Sequence, residues 1–196
     1  MRPRSAHARV IALAALAAAL VLPGCARTMV TQRARTDYAP TDSLAEMEFW
    51  YTLPGRVAVS NDEALHALVL LENSGHIPRG YEERVAHAKA SGWVPESWDE
   101  PAEAAVQRGM LARAIVQVCG IKGGVIMRVF GPVPRYALRE LIYLGIMPPS
   151  TENQTISGLD FLAVISKAQD YITLSRRRNE PEARPNPPPA GPTRMG

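Results

Sequence analysis

Apolar residues in the middle of the chain recur at the three- and four-residue spacing of a helix that buries one face. The spacing is clear in four stretches, and three of these end in a glycine, the residue that commonly closes a helix in a left-handed turn. The clear stretches are ALHALVLLENSG from residue 64, VQRGMLARAIVQVCG from 106, PRYALRELIYLG from 134 and FLAVISKAQDYI from 161, and the weaker ones are DSLAEMEFWYTL from 42 and YEERVAHAKASG from 81.

Side chains that cap helices stand where two of these stretches begin. Ser60 and Glu63 fit a capping box, in which each side chain accepts a hydrogen bond from a backbone amide that the helix leaves unpaired. Ser157 and Asp160 fit a second box. The only alternating stretch of useful length, GVIMRVFG at 124–131, lies among glycines and prolines and is predicted to be a linker or short extended piece. The pattern therefore predicts an all-α fold, a compact bundle of five or six helices.

The segments on either side of this helical part have a different composition. Residues 25–41 show no apolar period and are predicted to form a flexible tether. Residues 175–196 contain six prolines and few apolar side chains, so they cannot build a core and are predicted to be a disordered tail. One α-helical domain, residues 42–174, is expected between them.

The amino terminus has the pattern of an export signal, residues 1–24. Arg2, Arg4 and Arg9 precede an apolar run at 10–22, which is too short to cross about 30 Å of hydrocarbon. The run ends in Leu22-Pro23-Gly24-Cys25, which resembles the lipobox of bacterial lipoproteins. That resemblance implies cleavage before Cys25, a lipid on its thiol, and a protein that is exported and anchored to a membrane of the bacterial cell envelope. An ordinary cleaved signal and an uncleaved anchor remain as alternatives.

Cleavage would change the charge of the chain. The full sequence carries a formal charge of +3, but residues 1–24 hold three of its 22 basic residues and none of its 19 acidic ones, so the remaining chain is neutral. A neutral chain lacks the basic footprint of nucleic-acid binding proteins, and no nucleic-acid partner is expected. Cys119 is the one cysteine left beside Cys25, which excludes a disulfide within a chain acylated at Cys25.

Two parts of the helical domain resemble each other. Residues 81–121 and 134–174 each contain a helix, a glycine, an apolar pair, a proline, a polar loop and a second helix. Gly92-Trp93-Val94-Pro95 in the first aligns with Gly145-Ile146-Met147-Pro148 in the second. This layout resembles the S-layer homology repeat. That family is α-helical and anchors proteins noncovalently to cell-wall polysaccharide, through polar residues where the second helix starts.

The resemblance assigns ligand contacts to the starts of the second helices. The family has a basic residue, a hydroxyl and an acid at this helix start. In this sequence Arg108 matches the basic residue, Ser157 the hydroxyl and Asp160 the acid. Trp93 and Trp98 in the first loop are candidates for stacking on a sugar face, or alternatively for covering the end of the core. Together these five residues are the predicted contacts with an envelope glycan or protein.

Catalytic patterns are lacking. His66, His76 and His87 do not have the spacing of metal ligands and are predicted to be solvated or to cap helices. No paired carboxylates, phosphate loop or nucleophile motif is found, so no enzyme activity, cofactor or metal is expected. The sequence predicts a lipid-anchored binding or scaffolding module that meets its ligand through loops 93–105 and 148–156. An accessory subunit that docks on an envelope protein through an apolar helix face is the alternative, and an unrecognised hydrolase is a third.

Overall fold

The computed structural model describes residues 27–179, and within them the chain forms α-helices joined by loops and three isolated β-bridges. The predicted all-α class is confirmed. No helix in this part of the chain is long and apolar enough to cross a bilayer. The helices are α1 (Ser43–Thr52), α2 (Asn61–Glu72), α3 (Gly80–Ala90), α4 (Arg108–Val118), α5 (Val125–Phe130), α6 (Pro134–Tyr143) and α7 (Gly158–Asn179), and a 3₁₀ turn (Leu53–Gly55) follows α1.

The central helix of the core is α2. Residues 61–69 of this helix are all buried, because α2 packs against α3, α4 and α7 and is also covered by the segment before α1. In chain order, six of the helices fall into three successive pairs, which are α1 and α2, α3 and α4, and α6 and α7. α3 packs on α2, α6 packs on α4, and the 3₁₀ turn after α1 packs on α7. The first part of each pair therefore packs on the second helix of another pair, and the three contacts form a closed cycle.

Backbone hydrogen bonds close the same cycle at the starts of α2, α4 and α7, which we call the cap ring. The amide of Asn61 donates to the carbonyl of Ala104, at 2.8 Å. The amide of Arg108 donates to Gln154, also at 2.8 Å, and the amide of Gly158 donates to Arg56 at 2.9 Å. Each helix start thus satisfies one of its free amides on the loop that precedes another helix start.

The cap ring contains a third member that the sequence comparison missed. Val59 precedes the cap of α2 as Val106 and Ile156 precede the caps of α4 and α7, and all three side chains are buried. Val106 donates its amide to Val59, and Val59 donates its amide to Ile156. The start of α2 therefore has the same surroundings as the starts of α4 and α7 in the two predicted repeats.

The two predicted copies end their first helices in the same way. Gly92 and Gly145 have φ of 69° and 72°, a left-handed conformation that glycine adopts without strain. The amides of the next two residues donate to one carbonyl of the preceding helix. Trp93 and Val94 donate to Ala88, and Ile146 and Met147 donate to Leu141. These four side chains are buried, so the aligned apolar pairs belong to the core.

The predicted flexible tether is wrong for residues 27–41, which pack onto the domain and which we call the strap. Ala34, Thr36 and Tyr38 are buried while their neighbours are exposed. The Ala34 amide donates to Glu63 Oε1 at 2.6 Å, and the Thr36 hydroxyl donates to Asp62 Oδ2 at 2.7 Å. The domain consequently begins before residue 42, because the polar start of α2 supplies the strap with hydrogen-bond acceptors.

A buried polar network joins the strap, α2 and α3. Arg84 on α3 is 1% exposed and donates to Asp62 Oδ1 from Nη2 at 2.6 Å and from Nε at 3.0 Å. Glu63 accepts from the amide and the hydroxyl of Ser60, each at 2.8 Å, and its own amide donates back to the serine oxygen. The predicted capping box at Ser60 is confirmed, and its glutamate also holds the strap.

His66 was predicted to be solvated or to cap a helix, and that prediction is wrong. It is buried against Tyr38 and Phe49 and shares a hydrogen bond of 2.6 Å with the Tyr38 hydroxyl. Burial, together with the positive charge of Arg84, lowers the pKa of His66 from 6.5 to about 4. The folded protein therefore holds this imidazole neutral where an unfolded chain would protonate it.

We expect His66 to make the protein less stable in acid. Because the folded pKa lies below the unfolded one, the contribution is complete above pH 6.5 and is lost as the pH falls towards 4. At pH 4 the loss is about 3 kcal/mol of unfolding free energy. Urea denaturation at pH 4, 5 and 7 should show a shallower pH dependence for His66→Gln than for the unaltered protein. Equal pH dependence in both would contradict the assignment.

Two further boundaries differ from the sequence prediction. Residues 125–130 form α5 where a linker or extended piece was expected, in a segment with glycine on both sides. α7 continues to Asn179, so residues 175–179 of the predicted disordered tail are helical. The predicted export signal at 1–24, Cys25 and the rest of the predicted tail, residues 180–196, lie outside the described residues.

Candidate functional site

The two loops predicted to meet a ligand lie side by side at the cap ring and border a groove of about 640 Å³. One wall comes from residues 95–105 and another from residues 153–155 of the second loop. The strap contributes Arg27 and Thr28 at one end. The lining side chains and backbone also include Asn61, Gln107 and Met110 from the helix starts.

The lining of the groove combines one aromatic ring with many hydrogen-bonding groups. Asn61, Gln107 and Asn153 contribute amides, Thr28, Ser97 and Thr155 contribute hydroxyls, and Asp99 and Glu100 contribute carboxylates around Trp98. Such a set can donate and accept at neighbouring positions while a ring covers an apolar face. This chemistry matches a ligand rich in hydroxyl groups, or an extended polar peptide.

Trp98 is held in the groove by Tyr81 from α3. Its indole Nε1 donates to the Tyr81 oxygen at 3.3 Å, and the Tyr81 hydroxyl donates to the carbonyl of Glu100 at 2.6 Å. Burial raises the pKa of Tyr81 to about 12, so the phenol stays protonated and keeps donating at neutral pH. Trp98 is half-buried, which fixes the ring while part of it remains accessible.

The strap closes the groove at the end lined by Arg27 and Thr28. The amide of Ala105 donates to the carbonyl of Thr28, and the amide of Val30 donates to Glu103, each at 2.8 Å. Arg27 and Glu100, which both line the groove, form an ion pair at 2.8 Å. The groove is therefore built partly from the first residues that follow the predicted lipid site.

Trp93 does not belong to this site. Its side chain is 1% exposed and packs edge-on against His87, with ring centroids 5.0 Å apart. The prediction that it contacts a ligand is wrong, and the alternative that it covers the core is correct. The cause is the left-handed turn at Gly92, which directs the following apolar pair inward.

The structure brings Arg108, Ser157 and Asp160 together from the two predicted repeats. Arg108 Nη2 lies 2.9 Å from Asp160 Oδ2, and its Nε donates to the carbonyl of Thr155 at 3.0 Å. The Ser157 hydroxyl accepts from the Asp160 amide at 3.2 Å, which caps α7. The three residues thus tie α4 to α7, and they lie beside the groove and outside its lining.

Several groove residues were missed by reasoning from the sequence. Asn61 and Gln107 were not singled out because they stand at helix starts, where a polar residue is explained by capping alone. Asn153 and Thr155 fall inside the predicted loop 148–156 without any motif. An alignment of the three helix starts would have matched Asn61 of α2 with Arg108 of α4.

Among residues 27–179, no three His, Cys, Asp or Glu side chains converge as a metal site requires. No family model, no curated protein and no solved structure matches this chain.

Proposed function

We propose that this protein is a lipid-anchored module of the bacterial cell envelope that binds envelope glycan in the groove and performs no catalysis. The observation that carries the proposal is the placement of Trp98 among amides, hydroxyls and carboxylates contributed by both predicted ligand loops. Polysaccharides present hydroxyl edges and apolar ring faces, which these two kinds of side chain complement.

The position of the strap fits this proposal. Arg27, two residues after Cys25, already lines the groove. Two residues span at most about 7 Å. A lipid on Cys25 would accordingly hold the groove close to the membrane surface, within reach of glycan that lies against it. Mass spectrometry of the protein purified from its host should find a chain that starts at Cys25 and carries acyl groups.

The groove is tested by binding to purified sacculi with their attached wall polymers. We expect Trp98→Ala to weaken binding about tenfold, the equivalent of about 1.4 kcal/mol. Trp50→Ala is the matched control, because Trp50 is also half-buried but lies on α1, outside the groove. Binding that is unchanged in Trp98→Ala, or lost equally in both variants, would contradict a glycan site here.

The alternative, an accessory subunit that docks on an envelope protein, is favoured by one face of α1. Leu44, Met47 and Tyr51 lie on this face at helical spacing and are 68%, 62% and 84% exposed. Crosslinking in intact cells distinguishes the two functions. Recovery of one stoichiometric protein, lost in Leu44→Ser with Tyr51→Ser, would support docking through α1.

A further inference from the structure

Two segments of the chain, residues 121–139 and the end of α7, carry a concentration of positive charge. Residues 121–139 contain Lys122, Arg128, Arg135 and Arg139 and no acidic residue. The arginine run 176–178 lies at the end of α7. We call Arg128 and Arg135, with the apolar residues between them, the basic pole.

The cations of the basic pole lack the carboxylate partners that several other arginines of the fold have. Arg27, Arg84 and Arg108 each pair with a carboxylate at 2.9 Å or less. No carboxylate of residues 27–179 lies within 4.0 Å of a basic-pole cation. Their charge is therefore available to an anionic partner.

Exposed apolar side chains lie among these cations. Val129 and Phe130 at the end of α5 are 68% and 67% exposed, and Val133 in the following loop is 43% exposed. The ring of Phe130 lies 6.5 Å from that of Tyr136 on α6. Apolar and aromatic residues bordered by unpaired cations are the pattern of proteins that lie in the interface of an anionic membrane.

One cation of each segment lies in a shared depression. Lys122 and Arg178 line one polar depression of about 400 Å³, together with Tyr171 and Ser175. Glu140 also lines it and is the only acid between residues 121 and 144.

We propose that the basic pole docks on a bilayer that contains anionic phospholipid, with Val129 and Phe130 entering the interface and the surrounding cations contacting phosphate groups. This contact is additional to a lipid at Cys25 and does not depend on it. It also goes beyond the groove, because the two surfaces share no residue.

The test uses residues 25–196 with Cys25→Ser, which cannot be acylated and which retain every contact described above. Sedimentation with vesicles of phosphatidylethanolamine and phosphatidylglycerol should recover the protein, and vesicles of phosphatidylcholine alone should recover about tenfold less. Val129→Ser with Phe130→Ser should weaken binding to the anionic vesicles about tenfold. Arg128→Glu with Arg135→Glu should weaken it at least as much.

Leu44→Ser with Tyr51→Ser is the matched control, since α1 exposes a comparable apolar face beside Glu46 and Glu48. This control should sediment like the unaltered protein. All variants are compared by thermal unfolding, so that a misfolded protein is recognised and replaced by the single variant Phe130→Ser. Three results would overturn the proposal: no binding to anionic vesicles, equal binding to both vesicle types, or binding that survives the loss of Val129 and Phe130. Binding to sacculi through Trp98 is measured separately, so either proposal can fail alone.

Discussion

Replacement of Arg84 by alanine should lower the free energy of unfolding by about 3–5 kcal/mol. The guanidinium is 1% exposed and makes two hydrogen bonds to Asp62, and it also donates to the Thr36 hydroxyl at 3.1 Å. Its removal leaves a buried carboxylate whose nearest remaining cation, on Arg33, is 3.9 Å away and partly exposed. Urea denaturation at neutral pH measures the change.

The control for Arg84→Ala is a variant that removes a solvent-exposed ion pair. Arg27 also pairs with a carboxylate, at 2.8 Å, but its side chain is 58% exposed. Arg27→Ala should cost less than about 1 kcal/mol, because an exposed pair is screened by water. If the two variants lost similar stability, the network between the strap, α2 and α3 would not hold the fold as described.

Gly158→Ala should destabilise the protein by about 3 kcal/mol or more. Gly158 is the first residue of α7, and a Cβ at this position would overlap the carbonyl oxygen of Leu53. The obstacle is backbone, so no side chain can rotate to make room. A shift of α7 to relieve this overlap would also disturb the hydrogen bond from the Gly158 amide to the Arg56 carbonyl, which closes the cap ring. The midpoint of urea denaturation should fall accordingly.

Gly55, in the same 3₁₀ turn as Leu53, supplies a control substitution. A Cβ at Gly55 would have no atom within 4 Å, and its backbone is compatible with alanine. Gly55→Ala should leave stability unchanged or raise it by up to about 1 kcal/mol. A loss of stability in Gly55→Ala that matched the loss in Gly158→Ala would point to a general intolerance of this segment rather than to the closure of the ring.

The helices were predictable because their local signals agree with their packing. The capping box at Ser60, the first-turn position of Pro134 and the left-handed turns at Gly92 and Gly145 are found where the sequence indicates. The likeness of the α2 start to the starts of α4 and α7 was missed because α1 ends differently from α3 and α6. Leu53-Pro54-Gly55 forms a 3₁₀ turn in place of a glycine followed by an apolar pair, so only the helix start is shared.

The strap and the groove depend on contacts between distant parts of the chain, which local patterns do not report. Thr36 and Tyr38 are buried because Asp62 and His66 on α2 accept or share their hydrogen bonds. Trp93 and Trp98 both lie in the first predicted ligand loop. Their fates differ because Trp93 follows the helix end directly, whereas Trp98 is turned outward by the loop and fixed by Tyr81.

The strap has a mechanical consequence as well. Tension applied at residue 27 first meets the short backbone pairing of residues 28–30 with 103–105. It then meets the bonds from Ala34 and Thr36 to α2. The hydrogen bonds of the strap therefore resist this force before any helix is extended. Residues 104 and 105 belong to the wall of the groove, so the groove is the first part of the fold that feels the force.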